Sequence, residues 1–146
     1  MALLFNFKAY SSSSPQGLKQ FETDYCTGFP EGTFFQPNLW KSCCFGHDLR
    51  YWFGGSKSDE KKADLILKQC VAKKAGSFYS NIMYYAVRTG HYSPIKHRLK
   101  WGWGHTFRSP YKKLSDEEKS HILDELSKLN LESQYLETFI STYNLK

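Results

Sequence analysis

The stretch Cys43-Cys44-Phe45-Gly46-His47-Asp48-Leu49-Arg50-Tyr51, CCFGHDLRY, places two adjacent cysteines about one helical turn before an adjacent histidine and aspartate. Neighbours on a helix do not face each other, so His47 and Asp48 serve separate flanks and need separate partners. The surrounding run from Asn38 to Phe53 reads as a helix, with Asn38 as its cap and Gly54-Gly55 as its stop. The fold follows from what packs on that helix.

Downstream, a second helix is expected from about Ser58 to Ala75. Asp59 and Glu60 stand in its first turn, Lys73 and Lys74 in its last, and Gly76 beyond. The apolar segment FYSNIMYYAVRTG predicts a third helix ending near Gly90. The Pro and Gly content of HYSPIKHRLKWGWGHTFRSPY marks a long ordered loop with room for a short hairpin. Ser115 and Glu118 form a capping box that opens a helix through about Leu129, and a last helix covers Glu132 to Tyr143. Upstream, Ser11 to Ser14 followed by Pro15 read as a connector behind an apolar N-terminal piece. The expectation is one mainly α domain over residues 1 to 146.

Apolar residues make up 40% of the chain and aromatics 17%, enough for a packed core. No apolar run approaches the roughly 18 residues of a membrane span. The opening MALLFNFKAYSSSS has too short an apolar stretch, with no basic region before it, to read as a secretory signal. Either a leader has been removed or export works another way. The net charge of +6 is uneven: residues 65 to 115 carry ten Lys/Arg and no acidic residue, whereas residues 116 to 146 carry three basic against seven acidic. The middle segment therefore attracts phosphates of lipid or nucleic acid, or serves only as a solvated face.

Cys26, Cys43, Cys44 and Cys70 allow three pairings, of which a Cys43–Cys44 bridge would strain the backbone. The remaining two tie the first helix to the loop at Cys26 and to the second helix at Cys70, and imply an oxidising compartment. Free buried cysteines, or a zinc site using thiolates with His47, are the competing readings. In an antiparallel pair a Cys43–Cys70 bridge would bring His47 and Asp64 to similar heights at about 1.5 Å per residue. Height alone leaves the orientation of Asp64 open.

These residues resemble the C-C-x-x-H-D-x-x-Y signature of the secreted phospholipase A2 superfamily. Tyr25-Cys26-Thr27-Gly28 looks like the family's calcium loop, and Asp64 stands six residues before Cys70 as the family's aspartate stands before its cysteine. The likeness covers roughly residues 22 to 75, and the pattern CTGFPEG…W…CC…HD…YW…GG is similar to small bacterial members. Residues 76 to 146, with the basic aromatic loop and further helices, lie outside it.

The resemblance implies a phospholipase A2-type fold: a disulfide-stapled antiparallel helix pair with additional C-terminal helices. It implies bridges Cys26–Cys44 and Cys43–Cys70, His47 as the general base toward water, Asp64 as the acceptor on the other imidazole nitrogen, and Tyr51 as support for Asp64 through its hydroxyl. It further implies Ca2+ held by Asp48; since a hard cation needs oxygen ligands, the backbone carbonyls of Tyr25, Thr27 and Phe29 complete a sensible set, to which Glu31 could add a second charge. The chemistry fits those roles. An imidazole with an unperturbed pKa of about 6.5 can be a neutral base near pH 7, and a hard cation takes oxygen ligands. One carboxylate among neutral ligands suggests calcium affinity of roughly 0.1 to 1 mM. The family loop is richer in glycine than Thr27, Phe29 and Pro30 here, which makes the backbone at those positions the point to check.

The expected function is calcium-dependent hydrolysis of a glycerophospholipid acyl ester at a membrane surface, by a secreted or periplasmic protein. Trp101, Trp103, Lys100 and Arg98 are the expected membrane-binding residues, since Trp rings prefer the headgroup region and basic residues an anionic surface. The alternative is a catalytically silent relative that binds membranes or a protein partner. Nucleic-acid binding through residues 65 to 115, with Trp101, Trp103 and Phe107 as stacking rings, is a third class that no recognised motif supports.

Overall fold

Helix α1 (Lys41–Phe53) carries CCFGHDLRY, and Cys43, Cys44 and every residue from Gly46 to Phe53 are buried. A helix covered on all sides must lie at the centre of the domain, so its flanks can meet different partners. It stops at Gly54, whose φ of 69° suits glycine and whose amide donates to Arg50 O at 3.1 Å. Its start is later than expected, because Trp40 and not Asn38 is the N-terminal cap. Trp40 is held by the preceding loop: its indole donates to Pro30 O at 2.6 Å and its amide to Glu31 O at 3.0 Å. These bonds close residues 31–40 into a loop before the helix begins. The computed structural model describes residues 18–92, 94, 100–105 and 111–146; the serine connector, Arg98 and Phe107 lie outside them.

Helix α2 (Lys57–Gly90) opens on a capping box of Ser56 and Asp59, and it contains both helices expected on either side of Gly76. Gly76 breaks the helical path with φ 83° and ψ 178°. The chain reverses there, since Lys68 Nζ lies 5.0 Å from the Tyr84 ring and Arg88 bonds to Asp64, residues eight and twelve places either side of the glycine. Only glycine visits that backbone region without strain. Gly76→Ala should cost about 1–3 kcal/mol, read as a lower Tm. A Cβ would meet no atom within 4 Å, so the loss would come from the backbone and not from a clash.

The first half of α2 buries Glu60, Ala63, Asp64, Leu67 and Val71, a helical stripe that faces α1. Cys43 joins Cys70 while His47 meets Asp64, so the two helices run in opposite directions. Helix α3 (Asp116–Lys128) starts at the predicted Ser115–Glu118 capping box, and α4 (Ser133–Tyr143) follows a cap at Glu132. They press Ile122, Leu126, Phe139 and Tyr143 onto Leu49, Trp52 and Phe53 of α1. Phe53 meets Phe139 and Tyr143 edge-on at 5.5 and 5.4 Å. Thus the far flank of α1 holds the main core, and the near flank is left for α2.

The loop before α3 caps the end of α1. Gly102 N donates to Tyr51 O and Gly104 N to Trp52 O, both at 2.7 Å. A Cβ on Gly104 would lie 2.6 Å from Trp52 O, so only glycine fits. Trp101 is 6% exposed, packs edge-on against Tyr51 at 5.0 Å and donates its indole N–H to Gly55 O. Trp103 is half-buried and stacked on Phe21 at 6.4 Å. Lys100 donates to His91 O at 2.9 Å. The placement of Trp101 corrects its expected anchoring role, since that ring is used to pack the loop onto α1. The described residues contain no strand, so the allowed hairpin does not form among them, and none of their helices is long and apolar enough to cross a membrane.

Candidate functional site

Two disulfides fix the region around His47. Cys26–Cys44 ties the preceding loop to α1, and Cys43–Cys70 ties α1 to α2, with Cα separations of 5.1 and 5.7 Å. No cysteine is free, which removes the thiolate-zinc and free-thiol readings. The orientation that spacing left open is now explained. Cys70 sits half-buried at the edge of the α2 stripe, and Asp64 sits within it, facing α1.

The Asp64 carboxylate is fully buried and receives three donors. His47 Nε2 lies 2.9 Å and the Tyr51 hydroxyl 2.7 Å from Oδ1, and Arg88 Nη1 lies 2.8 Å from Oδ2. Burial pushes the Asp64 pKa up. The hydrogen bond and charge of His47, with the Arg88 and Tyr51 donors, outweigh it and hold the carboxyl below its ordinary range. Burial, then the Asp64 charge, pushes the Tyr51 phenol well up, so it remains a donor. The Asp64 hydrogen bond raises the Arg88 pKa further and keeps the guanidinium charged. With Nε2 on Asp64, Nδ1 is the His47 ring nitrogen that the pair leaves unengaged, and His47 lines a cleft.

That cleft is open to solvent and spans about 640 Å³, the open mouth included. His47, Asp48 and Tyr51 share its wall with Tyr25, Cys26, Thr27 and Phe29 from the loop and with Leu67, Met83, Ala86, Val87 and Gly90 from α2. The reversal at Gly76 supplies the apolar side: Met83 and Val87 return past Leu67 to line it. An apolar wall facing a histidine and one carboxylate, Asp48, suits a ligand with a long apolar part and a polar group.

The residues proposed for calcium come together on this wall, and their donor set is all oxygen, as a hard cation requires. Asp48 is buried, and its Oδ2 accepts from the Thr23 hydroxyl at 2.7 Å; Thr23 Oγ1 in turn accepts from Tyr25 N at 2.9 Å. The loop and the carboxylate are therefore registered to each other. Positive φ falls at Tyr25 (60°) and Gly28 (69°), not at Thr27, Phe29 or Pro30, so the lack of further glycines imposes no strain on those three positions. Glu31 pairs with Lys41 at 3.1 Å and does not line the cleft.

Several residues went unrecognised in sequence. Thr23 carries no local signal. Arg88 read as one more cation of the acid-free segment, although it stands as far after Gly76 as Asp64 stands before it. Glu60 read as a first-turn residue favoured by the helix dipole, yet it is 1% exposed and accepts from Tyr111 OH at 2.8 Å. Burial, then that hydrogen bond, pushes the Tyr111 phenol up. No family model matches the chain, and no match was found among curated proteins or solved structures.

Proposed function

We propose that this chain is a calcium-dependent, phospholipase A2-like hydrolase that releases a fatty acyl chain from a glycerophospholipid, built on a phospholipase A2-type helix pair. The observation that carries the reading is the His47–Asp64 pair, whose histidine stands with Asp48 on the wall of an apolar cleft while Asp64 is buried behind it. His47 Nδ1 takes a proton from a water as that water's oxygen attacks the ester carbonyl. Asp64 holds the ring through Nε2 and stabilises the imidazolium, which then returns the proton to the leaving alkoxide. Asp48 and the carbonyls of Tyr25, Thr27 and Phe29 would hold calcium. When bound, it would polarise the ester carbonyl and offset the developing negative charge. The apolar wall would take the acyl chain, and the disulfides favour an oxidising compartment, in keeping with secretion or periplasmic export.

Fatty-acid release from mixed phospholipid vesicles, measured in calcium and again in excess chelator, tests this. Release that stops on chelation and returns with calcium supports it. No release under either condition, with vesicle binding retained, would leave the catalytically silent, membrane-binding relative.

Membrane contact itself shifts to other rings. Phe34 and Phe35 occupy the tip of a turn closed by Thr33 and Gln36 and are 94% and 90% exposed. Phe78, Ile82 and Tyr85 are exposed on the second half of α2, inside the acid-free segment. Two adjacent phenylalanines at a turn tip have no packing role in the folded chain, and withdrawing a Phe ring from water contributes about 1.5–3 kcal/mol. Phe34→Ser with Phe35→Ser should therefore weaken binding to anionic vesicles by at least about tenfold. Sedimentation with unchanged affinity would remove the turn from the membrane face, whereas Trp101→Ala should lower Tm because that ring is core.

A further inference from the structure

We propose that Arg88 is a positioning residue for the His47–Asp64 pair and is itself set by the buried carboxylate of Glu60 and by Tyr111. The inference rests on the reading of His47 as the base, but its geometry is independent of the substrate.

Asp64 and Glu60 lie four residues apart on the same helical stripe, and both carboxylates are buried. Two like charges so placed repel each other, more strongly than on a solvated helix face because little water screens them. Arg88 lies between them. Its Nη1 is 2.8 Å from Asp64 Oδ2 and 3.7 Å from Glu60 Oε2. The other side of Glu60 is closed: Tyr111 OH donates to Oε2 at 2.8 Å, and His91 Nδ1 stands 2.9 Å from Oε1, at ion-pair distance though without hydrogen-bond alignment. Tyr111 OH is also 3.2 Å from His91 Nε2.

The consequence for the pair is directional. A free carboxylate can rotate and offer either oxygen to a partner. By occupying Oδ2, Arg88 leaves Oδ1 for His47 and Tyr51, so one rotamer of Asp64 satisfies three donors from two helices. Arg88 reaches this place because the chain reverses at Gly76. The same reversal builds the cleft wall from Met83 and Val87, so the residue that orients the pair is carried by the segment that shapes the substrate space.

The test compares Arg88→Lys, Arg88→Met, and the double variant Arg88→Met with Glu60→Gln in the full chain. The double variant removes one charge of each sign, so it preserves the net charge of the buried cluster if the single variant fails to fold. Three readouts are taken: Tm, kcat and KM on a short-chain phospholipid monomer in calcium, and the ring N–H proton of His47 by NMR, assigned by its absence in His47→Gln. The folded double variant should lose about 10- to 100-fold in kcat, the usual effect of removing a partner that orients a functional side chain, with KM little changed. Its His47 ring proton should shift or broaden, and Arg88→Lys should recover part of both losses. Wild-type kcat together with an unmoved ring proton in the folded double variant would overturn the proposal. Should the wild-type chain hydrolyse no ester, the hydrolase reading falls by itself. The ring proton then decides alone whether Arg88 orients the pair, a perturbed signal supporting it and an unmoved one overturning it.

Discussion

Replacing His47 with glutamine is expected to lower acyl-ester hydrolysis by at least about 10²- to 10⁴-fold while leaving the domain folded. Glutamine roughly preserves size but cannot accept a proton near neutral pH, so the attacking water loses its base. The fold should tolerate the change for a reason visible at Asp64. Its carboxylate keeps the Tyr51 hydroxyl on Oδ1 and the Arg88 guanidinium on Oδ2, so no buried charge is stranded. Glutamine can also donate to Oδ1 in place of the imidazole. Acyl release in saturating calcium, beside a thermal melt, checks both halves. Wild-type turnover from the folded variant would mean that the base lies elsewhere, and a lost melt would mean that the imidazole is needed for packing against the Tyr51 ring, 4.2 Å away.

Local chemistry makes much of this legible in the sequence. The Ser115–Glu118 box, the Gly54 stop and the glycine at 76 each act within a few residues, and each appears where the sequence placed it. The resemblance supplied the two bridges; composition could only narrow them. What stayed hidden depends on tertiary contacts. Arg88 is a surface cation by composition and becomes a partner of Asp64 only after the chain reverses at Gly76. Trp101 and Trp103 sit among Lys and Arg and read as interfacial rings, but backbone bonds from Gly102 and Gly104 to the end of α1 draw them inward. Asn38 is a better cap than Trp40 by propensity, and it loses because the Trp40 indole is tied to Pro30. In each case a long-range bond decided against a local preference.

Removing the Cys43–Cys70 bridge by the double change to alanine should destabilise the domain by about 3–4 kcal/mol, since the bridge closes a loop of 27 residues in the unfolded chain. Against a typical total of about 5–15 kcal/mol that is a large share, and it corresponds to a fall of roughly 10 °C in Tm. The Cys26–Cys44 bridge closes 18 residues and should stabilise to a similar extent, so stability alone does not separate them. Their effects on the site should. Cys43–Cys70 joins the two helices that carry His47 and Asp64, four and six residues away, and its loss frees them to slide and should lower kcat at temperatures where the variant is still folded. Cys26–Cys44 holds the loop bearing Tyr25, Thr27 and Phe29 against Asp48, and its loss should mainly raise the calcium concentration needed for half-maximal activity. Urea melts, with calcium titrations of acyl release on both alanine pairs, distinguish the two roles. An unchanged melt for the Cys43–Cys70 pair would show that the α1–α2 contact stands without its staple. Equal calcium requirements in the two variants would detach the loop from the metal.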